Sequence, residues 1–177
     1  MGKTRPASFR LSSDVLDQLQ RESAKANLPL NAYVERAFRR YLNYVCIIDR
    51  MEMVYMMKGT ITSLMGKLTD EEIVDSAGEA VERFVEAVTF ANGKFDGGRA
   101  LKLLMESFQY STFASVEFFN EGDTLSLRLK HSVGPKWSLY MATLIKEVFK
   151  KAGVAADVKH SSGLIILCVP ADLLETV

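Results

Sequence analysis

The chain of 177 residues contains only two cysteines, two histidines, four prolines and one tryptophan. Each shortage excludes something. Cys46 and Cys168 are far apart and form no disulfide framework of the kind that staples small secreted domains. Both sit in apolar settings, VCII and IILCV, and are expected to be plain core residues. With so few histidines and cysteines, no pair has a recognised ligand spacing, so no metal is expected. The opening MGKTRPASFRLSSD lacks the apolar core of a signal peptide. No run approaches the roughly 18 apolar residues of a membrane span, so no membrane partner is expected and the expected compartment is a reducing cytoplasm. Catalytic signatures are missing too. GKFDGG lacks the form of a phosphate-cradling loop, and neither a nucleophile elbow nor H-E-x-x-H occurs. Glu71 and Glu72 sit at a helix start, where the helix dipole accounts for them. Neither an enzyme nor a cofactor is expected.

What is present is an ordinary globular composition, 48% hydrophobic and 25% charged, enough for one domain or for a small module plus a domain. A formal net charge of zero hides an asymmetry. Residues 1–44 hold eight Lys and Arg against four acids, a net of +4, and the remainder a net of −4. Opposite charge in the two parts suggests two jobs, with a polyanion as the natural partner of the first.

In ASFRLSSDVLDQL, Ala7, Phe9 and Leu11 alternate with Ser8 and Arg10, which predicts a short strand. A helix follows. Ser12 or Ser13 can cap it, Asp14 suits its positive end, and Val15, Leu16, Leu19 and Ala26 share one face. The pattern stops at ANLPLN, where Asn27 tolerates a left-handed conformation and Pro29 cannot continue the helix. A second helix from about Leu30 carries the stripe Val34, Ala37, Phe38, Tyr41 and Leu42. Some 44 residues of strand, helix, turn and helix cannot bury an adequate core alone, and a lone strand lacks a neighbour. Dimerisation remedies both, by pairing two strands into a ribbon under four helices.

The stretch S-F-R-L-S, D-V-L-D-Q-L and L-P-L-N-A-Y-V-E-R-A-F-R-R-Y-L resembles the ribbon-helix-helix DNA-binding proteins, which include the Arc and Met repressors and many small antitoxins. The resemblance covers about residues 4–44. It implies an intertwined homodimer, or a pair of dimers on DNA, whose ribbon enters the major groove of double-stranded DNA. By resemblance Ser8 and Arg10 read bases, while Lys3 and Arg5 form an arm for backbone phosphates. The family's phosphate clamp at the N-terminus of the second helix maps onto Pro29, Leu30, Asn31 and Ala32. Here the chain departs from the family: a Gly is usual near Asn27 and a Ser or Thr cap at Pro29. Pro29 has no N–H, so the clamp relies on Leu30 and on Asn31 as cap. The resemblance therefore implies a transcriptional regulator. The alternative is a non-catalytic dimeric interaction module that binds another protein, as an antitoxin's tail binds its toxin, with the Met-rich segment after Val45 as the adaptable surface.

Residues 45–177 are expected to form an α+β domain with a mainly antiparallel sheet, serving effector sensing or oligomerisation. A strand is predicted near Glu52–Met57 and a short helix over Thr60–Leu68. Another helix follows Thr69, whose spacing to Glu72 is that of a capping box. A helix over Gly98–Ser107, a hairpin through SVEFFNEGDTLSLRLKHS, a helix over Pro135–Ala152 and a second hairpin or bent strand to VP complete the reading. Some nickel-responsive repressors of this family also join the module to an α+β domain, but too few ligands are present to carry nickel over. One local repeat, KHSVG and KHSSG, holds both histidines. It is either coincidence or a small polar site in which His131, Ser132, His160 and Ser161 face one pocket. Such a site would bind an anion or small-molecule effector, or sense pH.

Overall fold

The computed structural model describes residues 5–50 and 56–176. The chain divides into two compact units, Met1–Val45 and Cys46–Val177.

In the first unit, α1 spans Ser13–Lys25 and α2 spans Leu30–Arg40, continued by a π-helical turn over Tyr41–Val45. Ser12 stands at the N-cap of α1 without bonding a backbone N–H there, and its hydroxyl holds the Asp14 carboxyl below the usual range. The end of α1 follows its residues closely. Asn27 takes φ 52°, its N–H bonds the Ala24 carbonyl at 3.0 Å, and the Leu28 N–H bonds the Ser23 carbonyl at 3.0 Å. This is the paired bonding that closes a helix through a left-handed residue. The strand expected over Ala7–Leu11 is not formed in the chain. Residues 5–12 take no regular structure, and the described strands come later, from Ala114 onward. A strand exists through its neighbour's hydrogen bonds, and among the described residues none pairs with this segment.

The second unit opens with α3 (Cys46–Arg50) and α4 (Lys58–Met65). Most of the strand expected near Glu52–Met57 lies outside the described residues; Met56 and Met57 form none. Next comes α5 (Asp70–Asn92), which starts at the expected capping box. The Thr69 hydroxyl accepts from the Glu72 N–H at 3.2 Å, and the Glu72 carboxylate accepts from the Thr69 N–H at 2.7 Å. Gly93, at φ 78°, ends it. Asp96 caps α6 (Gly97–Tyr110), accepting from the Arg99 N–H at 3.0 Å. Strands β1 (Ala114–Glu121) and β2 (Thr124–His131) form the first hairpin; α7 (Pro135–Lys151) follows; β3 (Asp157–Ser161) and β4 (Leu164–Pro170) form the second. A 3₁₀ turn over Ala171–Thr176 follows β4.

The four strands form one antiparallel sheet in the order β1-β2-β4-β3. The unit is thus α+β. Leu125, Leu127 and Leu129 of β2 lie opposite Val169, Leu167 and Ile165 of β4 and are buried under α6 and α7. Helix α7 is apolar on two sides: Ala142, Ile145 and Phe149 meet the sheet, while Leu144 and Val148 meet Ala77, Val81 and Val88 of α5. The order of layers is therefore sheet, α6 with α7, then α5. Lys136 pairs with Asp70 at 2.5 Å and Lys151 with Glu82, so α5 and α7 run side by side in one direction. The two cysteines are half-buried rather than fully enclosed; Cys168 lies on the sheet face away from the helices, its Sγ 3.8 Å from Ser126 Oγ.

Candidate functional site

Two places collect the residues singled out by sequence. In the first unit, Arg5, Ser8 and Arg10 are exposed, and the two arginines make no ion pair among the described residues. Lys3 lies outside the described residues. Arg10 stands between Phe9 and Leu11 in sequence, and Phe9 turns to the helices, its ring 5.8 Å from that of Phe38 in an edge-to-face contact. At the start of α2, Leu30 is half-buried and Asn31 exposed. Here the expectation is corrected. Asn31 is not the cap; Pro29 occupies that position with φ −57° and ψ 143°, and no side chain bonds the first turn. The ψ of Pro29 is extended and its carbonyl accepts the Tyr33 N–H at 3.0 Å, so Pro29 fills the N-cap place and the helix begins at Leu30. The first N–H groups of α2 therefore carry no side-chain cap. Of the remaining basic residues, Lys25 pairs with Glu22 at 2.7 Å and Arg39 with Glu35 at 2.6 Å, both on helix surfaces.

The second place is the KHS repeat, which the fold separates. His131 ends β2 on the helix-side face of the sheet. His160 is on the same face but on edge strand β3, opposite Ile165, which also faces Leu129. Ser161 lies opposite Leu164, in line with Lys130, on the other face. Both His160 and Ser161 are exposed. Ser132 is exposed and accepts from Lys58 Nζ of α4 at 3.1 Å. The four residues do not converge on one pocket.

His131 instead meets residues that the sequence reading passed over. Its Nε2 is 2.8 Å from Ser138 Oγ, its Nδ1 accepts from the Val133 N–H at 3.3 Å, and its ring centroid is 4.4 Å from that of Trp137. Ser138 is fully buried, and its Oγ also accepts from the Gly163 N–H at 3.2 Å. Trp137 makes edge contacts with Phe108 and Phe113. The turn between β3 and β4 is tied in a second time, by the His131 N–H to the Gly163 carbonyl at 2.9 Å. Gly163 has φ 84°, and a Cβ there would stand 2.8 Å from the His131 carbonyl oxygen. Burial lowers the pKa of His131 from its ordinary 6.5.

Because Val133 donates to Nδ1, the ring proton of neutral His131 is on Nε2 and points at Ser138. The imidazole is thus a donor to this serine, the reverse of a base that activates a nucleophile. A signal for Ser138 was available. With Ala142, Ile145 and Phe149 it falls on one stripe of α7, and a hydroxyl on an apolar stripe needs an internal partner.

Comparison with family models, with curated proteins and with solved structures finds no match to this chain. Among the described residues, no three His, Cys, Asp or Glu side chains group to hold a metal ion, and no helix is long and apolar enough to cross a membrane.

Proposed function

We propose that this protein is a homodimeric, sequence-specific DNA-binding transcriptional regulator of the cytoplasm, with a ribbon-helix-helix module as its reading head. The observation that carries this is the first unit's apolar surface. Among its described residues only Ser23 is buried, whereas Phe9, Leu11, Val15, Leu16, Phe38, Tyr41 and Leu42 are all exposed. A unit with amphipathic helices and no core of its own is completed by association. A second copy supplies the complement: residues 7–11 of the two chains pair antiparallel, and α1 and α2 of both share one core.

Pairing also sets what the ribbon shows. With Phe9 inward, Ser8 and Arg10 face outward, and a two-stranded ribbon fits the major groove. Arg10 takes two acceptors of a guanine, Ser8 one hydrogen bond, and Lys3, Arg5 and the uncapped N–H groups near Leu30 and Asn31 take phosphates. The second unit adds effector sensing or oligomerisation.

The test is selection of binding sites from random duplex DNA by the full chain, with sedimentation to establish the assembly. The expected result is a dimer that enriches a defined half-site and binds it with steep salt dependence. A monomer, or a dimer with no site preference, overturns the reading. A dimer that ignores DNA and binds one small protein stoichiometrically favours an interaction module instead.

A further inference from the structure

The charge-bearing groups on the elements around His131 are few. Lys58 of α4 reaches Ser132 at 3.1 Å, Lys136 of α7 pairs with Asp70, and Lys130 pairs with Glu117 of β1 at 2.6 Å. His160 on β3 is separated from β2 by β4. No carboxylate pairs with the His131 ring among the described residues. The ring lies against Trp137 and Ser138, and its two nitrogens have different tasks. Nδ1 must be bare to accept from Val133, and Nε2 must carry a proton to reach Ser138. Ser138 Oγ, taking both Nε2–H and the Gly163 N–H, directs its own proton to the Gly134 carbonyl at 3.4 Å. This network is complete only with a neutral imidazole. A second ring proton would sit on Nδ1, facing the Val133 N–H with donor against donor, and no acceptor replaces the lost bond.

We propose that the contact between His131 Nδ1 and the Val133 N–H is a pH-gated latch, closed while His131 is neutral and released on protonation. When closed it holds the loop before α7 onto the end of β2; the bonds from His131 Nε2–H and the Gly163 N–H to Ser138 Oγ are kept by the imidazolium. Val133 extends the contact to α4, since its carbonyl accepts from Thr62 Oγ1 at 2.8 Å. Acid release therefore frees the 131–134 loop while leaving the β3–β4 turn and the apolar layers under the sheet in place. The latch lies wholly within the second unit and does not depend on DNA binding by the first.

The chain carries its own reporter. Its single tryptophan, Trp137, lies against the His131 ring, and an imidazolium quenches indole emission more strongly than an imidazole does. Emission of the full-length protein from pH 8 to 5 is expected to show a transition with its midpoint below 6.5. It should be lost in His131→Gln and kept in His160→Gln. The folding constant should fall by up to about tenfold for each pH unit across the window. Nitrogen NMR of the two imidazoles at pH 8 should find His131 with its proton on Nε2, the signal assigned by its survival in His160→Gln. This measurement decides even where His131→Gln fails to fold. A transition at or above 6.5, one unchanged in His131→Gln, or a proton on Nδ1 overturns the latch.

Discussion

Phe9 and Phe38 meet edge to face with ring centroids 5.8 Å apart, yet 67% of Phe9 and 50% of Phe38 remain exposed. The contact fixes which side of the N-terminal segment turns toward the helices, while leaving most of both rings bare. If a second copy covers them, Phe38→Ala loses contact within the copy and between copies. An aromatic pair contributes about 0.5–1.5 kcal/mol beyond its buried area, so the dimer dissociation constant should rise by roughly tenfold or more. Sedimentation across a dilution series measures this. Association unchanged in Phe38→Ala places the dimer contact elsewhere.

Arg10→Ala should weaken binding to the selected half-site by about 1–3 kcal/mol and relax preference at a single base pair. Arg5→Ala should instead weaken all sequences alike and make the salt dependence shallower. Fluorescence anisotropy with matched and substituted duplexes separates the two. Equal losses on both duplexes for Arg10→Ala would remove it from base reading.

Thr69→Ala opens the capping box at the start of α5 and should destabilise the second unit by about 0.5–2 kcal/mol, followed by urea unfolding through Trp137. The same box has a pH limit. The Thr69 backbone N–H, and then its hydroxyl, hold the Glu72 carboxyl below its ordinary 4.5. The stabilisation is thus fully present above pH 4.5 and lost as pH falls through the lower folded value. Glu72→Gln should flatten the acid limb of the unfolding profile; an unchanged limb assigns it to other carboxylates.

These local devices are also what the sequence made legible. The Thr69–Glu72 spacing, the stop at Gly153 and the alternation of Leu125, Leu127 and Leu129 each place a signal and its partner within a few residues. Helix α7 ends at Lys151, within one residue of the expected Ala152. Relations across the chain were not legible in this way. The insertion of β4 between β2 and β3 leaves no trace in periodicity, and it puts Ser161 on the face opposite His131. The apparent identity of KHSVG and KHSSG therefore dissolves in the fold: one histidine is tied to Ser138 and the other is exposed at an edge. Asn31 was misread because an amide near a helix start reads as a cap even where Pro29 already takes that place.

Gly163 and Gly122 both occupy two-residue hairpin turns at positive φ, 84° and 66°, but only Gly163 is crowded. An added Cβ at Gly122 meets open space, so Gly122→Ala should carry only the cost of the left-handed conformation, about 1–2 kcal/mol. Gly163→Ala adds a clash with the His131 backbone oxygen, which cannot swing aside as a side chain would. Its loss should exceed that of Gly122→Ala by a clear margin in parallel urea unfolding. Equal losses would mean that the β3–β4 turn moves freely away from β2.

The two buried serines of the sheet and α7 make the sharpest contrast. Ser126 sits on the face away from the helices, with Cys168 Sγ 3.8 Å from its oxygen, a weak bond at best. Ser126→Ala should change stability by less than about 1 kcal/mol, since little hydrogen bonding is lost. Ser138 is different, because its one oxygen is the acceptor for both the His131 Nε2–H and the Gly163 N–H. Ser138→Ala keeps the size of the site and leaves two enclosed donors without a partner, a cost of about 1–3 kcal/mol for each. The imidazolium keeps its Nε2–H bond to Ser138 as a charge-assisted one, so losing that acceptor costs the protonated form more than the neutral one. The stability gap between wild type and Ser138→Ala should therefore widen from pH 8 to pH 5, measured by urea unfolding of both proteins at each pH. A gap that stays constant would separate Ser138 from the titration of His131.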